Sequence, residues 1–176
     1  MELSDHIYPG LAREETFTVD PENTAYHLGS GASRVLATPW MIAFMERTAH
    51  ALLTCCLPAG TSSVGTHLDV RHLAPTPQGG QVRVRAEVLS MEGAKITFAI
   101  DAWDTLEKIG EGRHERAIIE EARFLRRVEK KITALRGALE NKRAAVVRRH
   151  TAAWNSITTW LCPPAIRQPA IHQPGA

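Results

Sequence analysis

Cysteine is scarce in this 176-residue chain: there are three, an odd number, and Cys55 and Cys56 are sequence neighbours. Adjacent cysteines cannot bridge across a fold to each other, so the chain shows no disulfide framework, and they read as small core-filling thiols of a reducing compartment. No uninterrupted apolar run approaches the roughly 18 residues of a spanning helix. The start, Met1 to Asp5, lacks the basic and apolar regions of an export signal, so the expectation is a cytoplasmic protein. A Walker-type phosphate loop, a Cys/His pattern of zinc spacing and an internal repeat are all missing, which argues against nucleotide-loop, zinc-finger and solenoid readings.

What is present is a globular composition, 44% hydrophobic, with a formal net charge of +2. That total hides a division. From Glu129 onward there are eight Lys/Arg against two Asp/Glu, whereas the residues before it carry thirteen against seventeen. An acidic body thus bears a basic tail, a statement about association rather than fold. The length suits one domain with an extension, or a small domain that completes its core by pairing with a copy of itself.

Periodicity divides the body. Thr16 to Val19 alternate weakly before a turn at Asp20 to Asn23, and His27 to Ser33 is rich in Gly and Ser, as loops are. Thr38 reads as a helix cap with Pro39 at the first helical position, and the helix runs to about Leu57, where Pro58 and Gly60 stop it. It is apolar on nearly every side, the mark of a helix buried against a sheet. The period then becomes two. Strands are expected over Ser63 to Leu73, Gln81 to Leu89, Lys95 to Trp103 and Ala117 to Val128. Val82, Val84, Ala86 and Val88 share one face, as do Ile96, Phe98 and Ile100. One buried helix followed by several hairpin-linked strands means α+β with an antiparallel sheet. From Glu129 the helical pattern returns, with Ile132, Leu135 and Leu139 three and four apart, and four prolines from Pro163 point to an extended or disordered end.

Two side chains in this scaffold can share proton transfer at neutral pH: Glu46 on the helix and His72 at the end of a strand. Ile42, Ala49 and Leu53 share the helical face of Glu46, and an unpaired carboxylate there would protonate or find a partner. A local pair with His50, or an edge position where Glu46 and Arg47 both reach water, are the alternatives. His72 alone is equally a structural histidine, and Thr38 alone a helix cap. His67 and Asp69 belong to the other face of their strand.

Taken together the spacings resemble the hot-dog-fold acyl-CoA thioesterases, and within them the fluoroacetyl-CoA thioesterase-like proteins. The matching segments are Ala37-Thr38, Met45-Glu46, Gly65-Thr66, Val70 with His72, Ser90 with Glu92 and Gly93, and His114 to Ala117, spread over about residues 10 to 128. The resemblance implies a hot-dog domain over 1–128, in which a five- or six-stranded antiparallel sheet wraps one long helix. It leaves 129–162 as a basic helical extension and 163–176 as a Pro-rich tail. It also implies a homodimer with a continuous sheet and with active sites at the subunit interface. The catalytic threonine, glutamate and histidine of the family fall on Thr38, Glu46 and His72. Substrate contacts fall on Gly65, Thr66 and Arg116. No cofactor is implied, since coenzyme A is part of the substrate.

These residue types suit thioester hydrolysis. Glu46 can attack the carbonyl or activate water, His72 can move protons near the departing thiolate, and Thr38 can orient the carboxylate or a water. The helix start offers N–H groups to an oxyanion, and Gly65 permits close approach of the acyl group. Eight residues of straight helix separate Thr38 from Glu46 by about 12 Å, so contact between them needs loop bending or a partner subunit. The fluoroacetyl-specific pattern has phenylalanines before its threonine; Ser30 to Leu36 has no aromatic residue, which favours a different or broader short acyl group. Trp40 and Phe44 either narrow the pocket or fill the core. The competing expectation is a non-catalytic module that binds acyl-CoA or a protein, its basic tail docking an acidic partner, anionic lipid or nucleic acid. An enoyl-CoA hydratase ranks last, for want of the Asp/His motif.

Overall fold

The computed structural model describes residues 6–161, the last fifteen of these as backbone only. The elements in chain order are β1 (Ala12–Thr18), a short 3-10 turn (Pro21–Asn23), α1 (Ala25–Leu28), α2 (Thr38–Thr54), β2 (Thr61–His72), β3 (Gln81–Glu92), β4 (Lys95–Trp103), β5 (Lys108–Glu120) and α3 (Glu121–Leu161). Five strands make one antiparallel sheet in the order β1-β3-β4-β5-β2. The chain divides into two units at Leu125/Arg126.

In the first unit α2 lies on one face of this sheet. Met41, Phe44, Met45, Thr48, Ala49, Leu52 and Leu53 are its buried residues, spaced by three and four along the helix. They meet the inward rows that alternation in the sequence marks: Val82, Val84, Ala86 and Val88 from β3, and Ile96, Phe98, Ile100 and Ala102 from β4, all buried. Fully burying each of the Val, Leu, Ile, Phe and Met side chains among them stabilises the fold by about 1.5–3 kcal/mol. Phe44 also stacks on Phe17 of β1, ring centroids 4.4 Å apart.

Three of the boundaries that differ from the sequence-based expectation bear on the site. α2 ends at Thr54 rather than near Leu57, because the amides of Cys56 and Leu57 both turn back to the Leu53 carbonyl. Its N-cap is Ala37, which has no capping side chain; Thr38 is already helical, and its hydroxyl is used elsewhere. The largest difference is β5, expected over Ala117 to Val128 and found over Lys108–Glu120, with α3 beginning at Glu121. Gly110 and Gly112 precede the expected strand, yet both lie within the observed one. A Cβ at Gly110 would strike Met41 and Met45, and one at Gly112 would strike the β2 backbone at Asp69 and Val70. Glycine here permits close packing rather than a turn.

The second unit consists, among described residues, of the continuation of α3. Leu125, Val128, Ile132, Leu135, Leu139 and Val146 are exposed along this helix. The expected Pro-rich tail over 163–176 lies outside the described residues. No described helix is long and apolar enough to cross a membrane.

Candidate active site

Five of the six residues singled out from sequence fall into two clusters, and Thr66 joins neither. At the start of α2 the Thr38 hydroxyl meets His72 Nδ1 at 2.8 Å. Val35, Leu36, Leu73, Ala74 and Pro75 join them around a cavity of about 300 Å³. His72 closes β2, and burial pushes its imidazole below the ordinary histidine pKa, favouring the neutral ring. Its Nε2 is buried without a hydrogen-bond partner. The neighbouring Ala74 backbone opposes the shift caused by burial.

The second cluster lies two turns further along α2. Glu46 faces Gly65 of β2 so closely that a Cβ at that position would overlap its Oε1. The carboxylate is 39% exposed, against 7% for Arg116 and 0% for His114, each with a nitrogen 3.9 Å from Glu46 Oε1. The edge position was one of the alternatives for Glu46, and the half-exposed carboxylate fits it better than a fully buried one.

Arg116 is held on several sides. Its Nε donates to Ser63 Oγ at 3.0 Å and its second terminal nitrogen to the Ser63 carbonyl at 2.9 Å. Its first terminal nitrogen reaches His114 Nε2 at 3.1 Å and the Glu46 carbonyl at 3.5 Å. Burial disfavours the charged guanidinium and lowers its pKa, while Glu46 opposes that shift. His50 borders the same serine, Nδ1 to Ser63 Oγ 3.4 Å, and burial lowers its pKa as well.

A cation 3.9 Å from Glu46 Oε1 supplies electrostatic support without a short hydrogen bond, which leaves the oxygen lone pair free to attack or to take a proton. Thr66 sits where the β2–β5 register shifts between Gly65 and His67, and its hydroxyl donates to the Glu115 carbonyl at 3.1 Å. Trp40 and Phe44 line a different cavity, about 490 Å³, together with Phe17 and Arg47.

Within one chain, then, Thr38 joins His72, and Glu46 joins Gly65 and Arg116, with the two groups about 12 Å apart along α2. Sequence reasoning missed His114 and Ser63 as members of the second cluster. Alternation could have found the first, since residues 114 and 116 share a strand face and Arg116 was already marked.

Comparisons with known proteins give the family. The family described as FlK, fluoroacetyl-CoA-specific thioesterase, matches residues 19–122. A fluoroacetyl-CoA thioesterase of Streptantibioticus cattleyicolor is 36% identical over 138 residues, covering 75% of this chain and 99% of that protein. A solved structure of the fluoroacetyl-CoA thioesterase FlK is 34% identical with a TM-score of 0.67, covering 71% of this chain and 97% of its own. A hot-dog-like protein from Thermanaerovibrio acidaminovorans has a TM-score of 0.69 at 24% identity, covers 74% of this chain and 97% of its own, and speaks to the fold alone. The chain is a hot-dog protein and belongs to the fluoroacetyl-CoA-specific thioesterase family.

Proposed function

We propose that this protein is an acyl-CoA thioesterase that hydrolyses a short acyl thioester to carboxylate and free coenzyme A. The observation that carries the reading is the Glu46 carboxylate, set in the notch left by Gly65 with Arg116 beside it. Family membership supplies the reaction class. A carbonyl carbon entering over Gly65 meets an oxygen that carries no short hydrogen bond.

Glu46 acts as nucleophile or as general base. As nucleophile its oxygen bonds to the acyl carbon, the C–S bond breaks, and the thiolate leaves and takes a proton. Water then hydrolyses the mixed anhydride and restores the carboxylate. As base it takes a proton from the water that attacks. A single turnover in ¹⁸O-water separates these routes: the nucleophilic one can place label in the Glu46 side chain, the general-base one only in the released acid.

The proton carrier is the Thr38–His72 pair, brought to Glu46 by a second copy of the chain. Support comes from the distance along α2, which keeps the Thr38–His72 pair from the Glu46 of its own chain. A shared site has a distinctive consequence in mixtures. Thr38→Ala and Glu46→Gln chains, inactive separately, form mixed dimers with one intact site in two. Equal mixing with subunit exchange therefore restores about a quarter of the wild-type sites. No recovery, with exchange demonstrated, would refute sharing.

Because Ser30 to Leu36 brings no aromatic side chain over the threonine, the expected substrates are short acyl groups without selectivity for fluoroacetyl. Thiol release from a panel of acetyl-, fluoroacetyl-, propionyl- and longer acyl-CoA substrates tests both statements. Turnover of none of them would overturn the assignment, and tight binding of an analogue without turnover would favour the non-catalytic module.

A further inference from the structure

We propose that His114 is a positioning residue that acts through Arg116: a neutral imidazole, protonated on Nδ1, whose Nε2 lone pair fixes the guanidinium beside Glu46. The inference deepens the thioesterase reading and rests on it for its kinetic consequence.

The donor and acceptor inventory forces the tautomer. Arginine has N–H groups and no acceptor, so the 3.1 Å contact between Arg116 and His114 Nε2 requires an unprotonated Nε2. The other ring nitrogen, Nδ1, lies 3.0 Å from the His67 carbonyl, which can only accept, so the proton is on Nδ1. A doubly protonated ring would set an N–H against the guanidinium N–H in a place with no exposure. Burial chiefly, and the adjacent Arg116, also keep the ring neutral, against the opposing pull of the His67 carbonyl and of Glu46.

What this chain of contacts transmits is backbone position. The β2–β5 register shifts between Gly65 and His67, and the His67 carbonyl just beyond the shift anchors the imidazole. Phe98 of β4 packs against the ring, centroids 6.3 Å apart. His114 in turn holds the terminal nitrogen that Arg116 presents to Glu46, while Ser63 holds the remaining side of the guanidinium. Gly65, which forms the notch, and Arg116, which faces it, are thereby tied to one irregularity of β2. In this tautomer His114 holds no proton that it can give to Glu46 or to a leaving thiolate.

Two measurements on the full chain test the proposal separately from the thioesterase assignment. The first needs no turnover. Imidazole ¹⁵N shifts of His114 are expected to show a protonated Nδ1 and a bare Nε2, unchanged between pH 8 and pH 6. A proton on Nε2, or a ring that titrates like a free histidine, would overturn it. The second reads kinetics. His114→Phe keeps a ring but has no acceptor, and it should lower kcat by about 10²-fold, the scale of a 1 Å misplacement, with a smaller change in KM. His114→Gln can restore an acceptor near the Nε2 position and should recover most of that loss. Combined with Arg116→Lys, His114→Phe should add little to the loss caused by Arg116→Lys alone. Independent multiplication of the two losses, or a Gln variant as impaired as the Phe variant, would overturn the positioning role. If the wild type turns over no acyl-CoA, the thioesterase reading fails and the ¹⁵N result still decides the tautomer.

Discussion

Replacing Gly65 with alanine adds one methyl group at the point where the geometry of the candidate site is tightest. Gly65 is not in a left-handed backbone conformation, so alanine is free to occupy its φ and ψ. The new Cβ would overlap Glu46 Oε1 and lie 3.1 Å from His114 Cε1. The imidazole cannot retreat, because it is fully buried and bonded at both nitrogens. Glu46 can, because its carboxylate is the end of a flexible side chain and is 39% exposed. The collision is therefore resolved by the Glu46 carboxylate moving, and overpacking should cost at the low end of about 1–3 kcal/mol. The effect on turnover is larger. Restoring ordinary contact requires a displacement of about 1 Å, and a misplacement of that size lowers the rate by about 10²-fold. The assay pairs thiol release from the best acyl-CoA substrate with urea unfolding of the same sample. The expected result is a fall in kcat/KM of about two orders of magnitude with only a modest loss of stability. Wild-type kcat/KM in Gly65→Ala would refute the assignment of the notch as the place where acyl group and carboxylate meet.

Other perturbations separate the roles of the two clusters and of the core. Gly110→Ala puts a methyl group against Met41 and Met45 in the buried interior, so unfolding free energy should fall by about 1–3 kcal/mol in urea denaturation. Leu53→Ala, at a fully buried position of α2, should cost about 2–5 kcal/mol by the same measurement. Thr38→Val removes the hydroxyl from His72 at an exposed position, so thiol release should drop while the unfolding midpoint barely moves. His72 and His114 both have pKa values lowered in the folded state, chiefly by burial. Below the ordinary histidine value of about 6.5 the unfolded chain thus binds more protons than the folded one. Stability from these groups is complete above that pH and is lost as pH falls below it. The urea midpoint should decline between pH 7.5 and pH 5.5, and the decline should shrink in a His72→Gln variant.

Much of the fold was legible because its signals are local and periodic. The alternation of Val82 to Val88 and of Ile96 to Ile100 maps directly onto the buried face of the sheet. The α2 start was legible to within one residue from Pro39. β5 was misplaced because Gly110 and Gly112 carry a turn signal in sequence, whereas their reason is the proximity of Met41, Met45 and the β2 backbone, which only the folded chain reveals. The site followed the same division. Thr38 and His72 were named in advance and meet. Glu46, Gly65 and Arg116 were also named and lie together, but the apolar neighbours that suggested a buried carboxylate did not predict its partial exposure. His114 was quoted in a matching segment but given no role, because a histidine fixed by a backbone carbonyl and a guanidinium has no signature in spacing beyond its shared strand face with Arg116.

The central claim is that Glu46 carries thioester hydrolysis, and Glu46→Gln tests it with the smallest change in shape. Thiol release by this variant and the wild type should be compared on the same short acyl-CoA substrates, with folding verified by matching unfolding midpoints. The account predicts measurable turnover by the wild type and a loss of about 10²–10⁴-fold in kcat for the variant, the range for removing a positioned acid–base group or more. Undiminished thiol release by Glu46→Gln would contradict it.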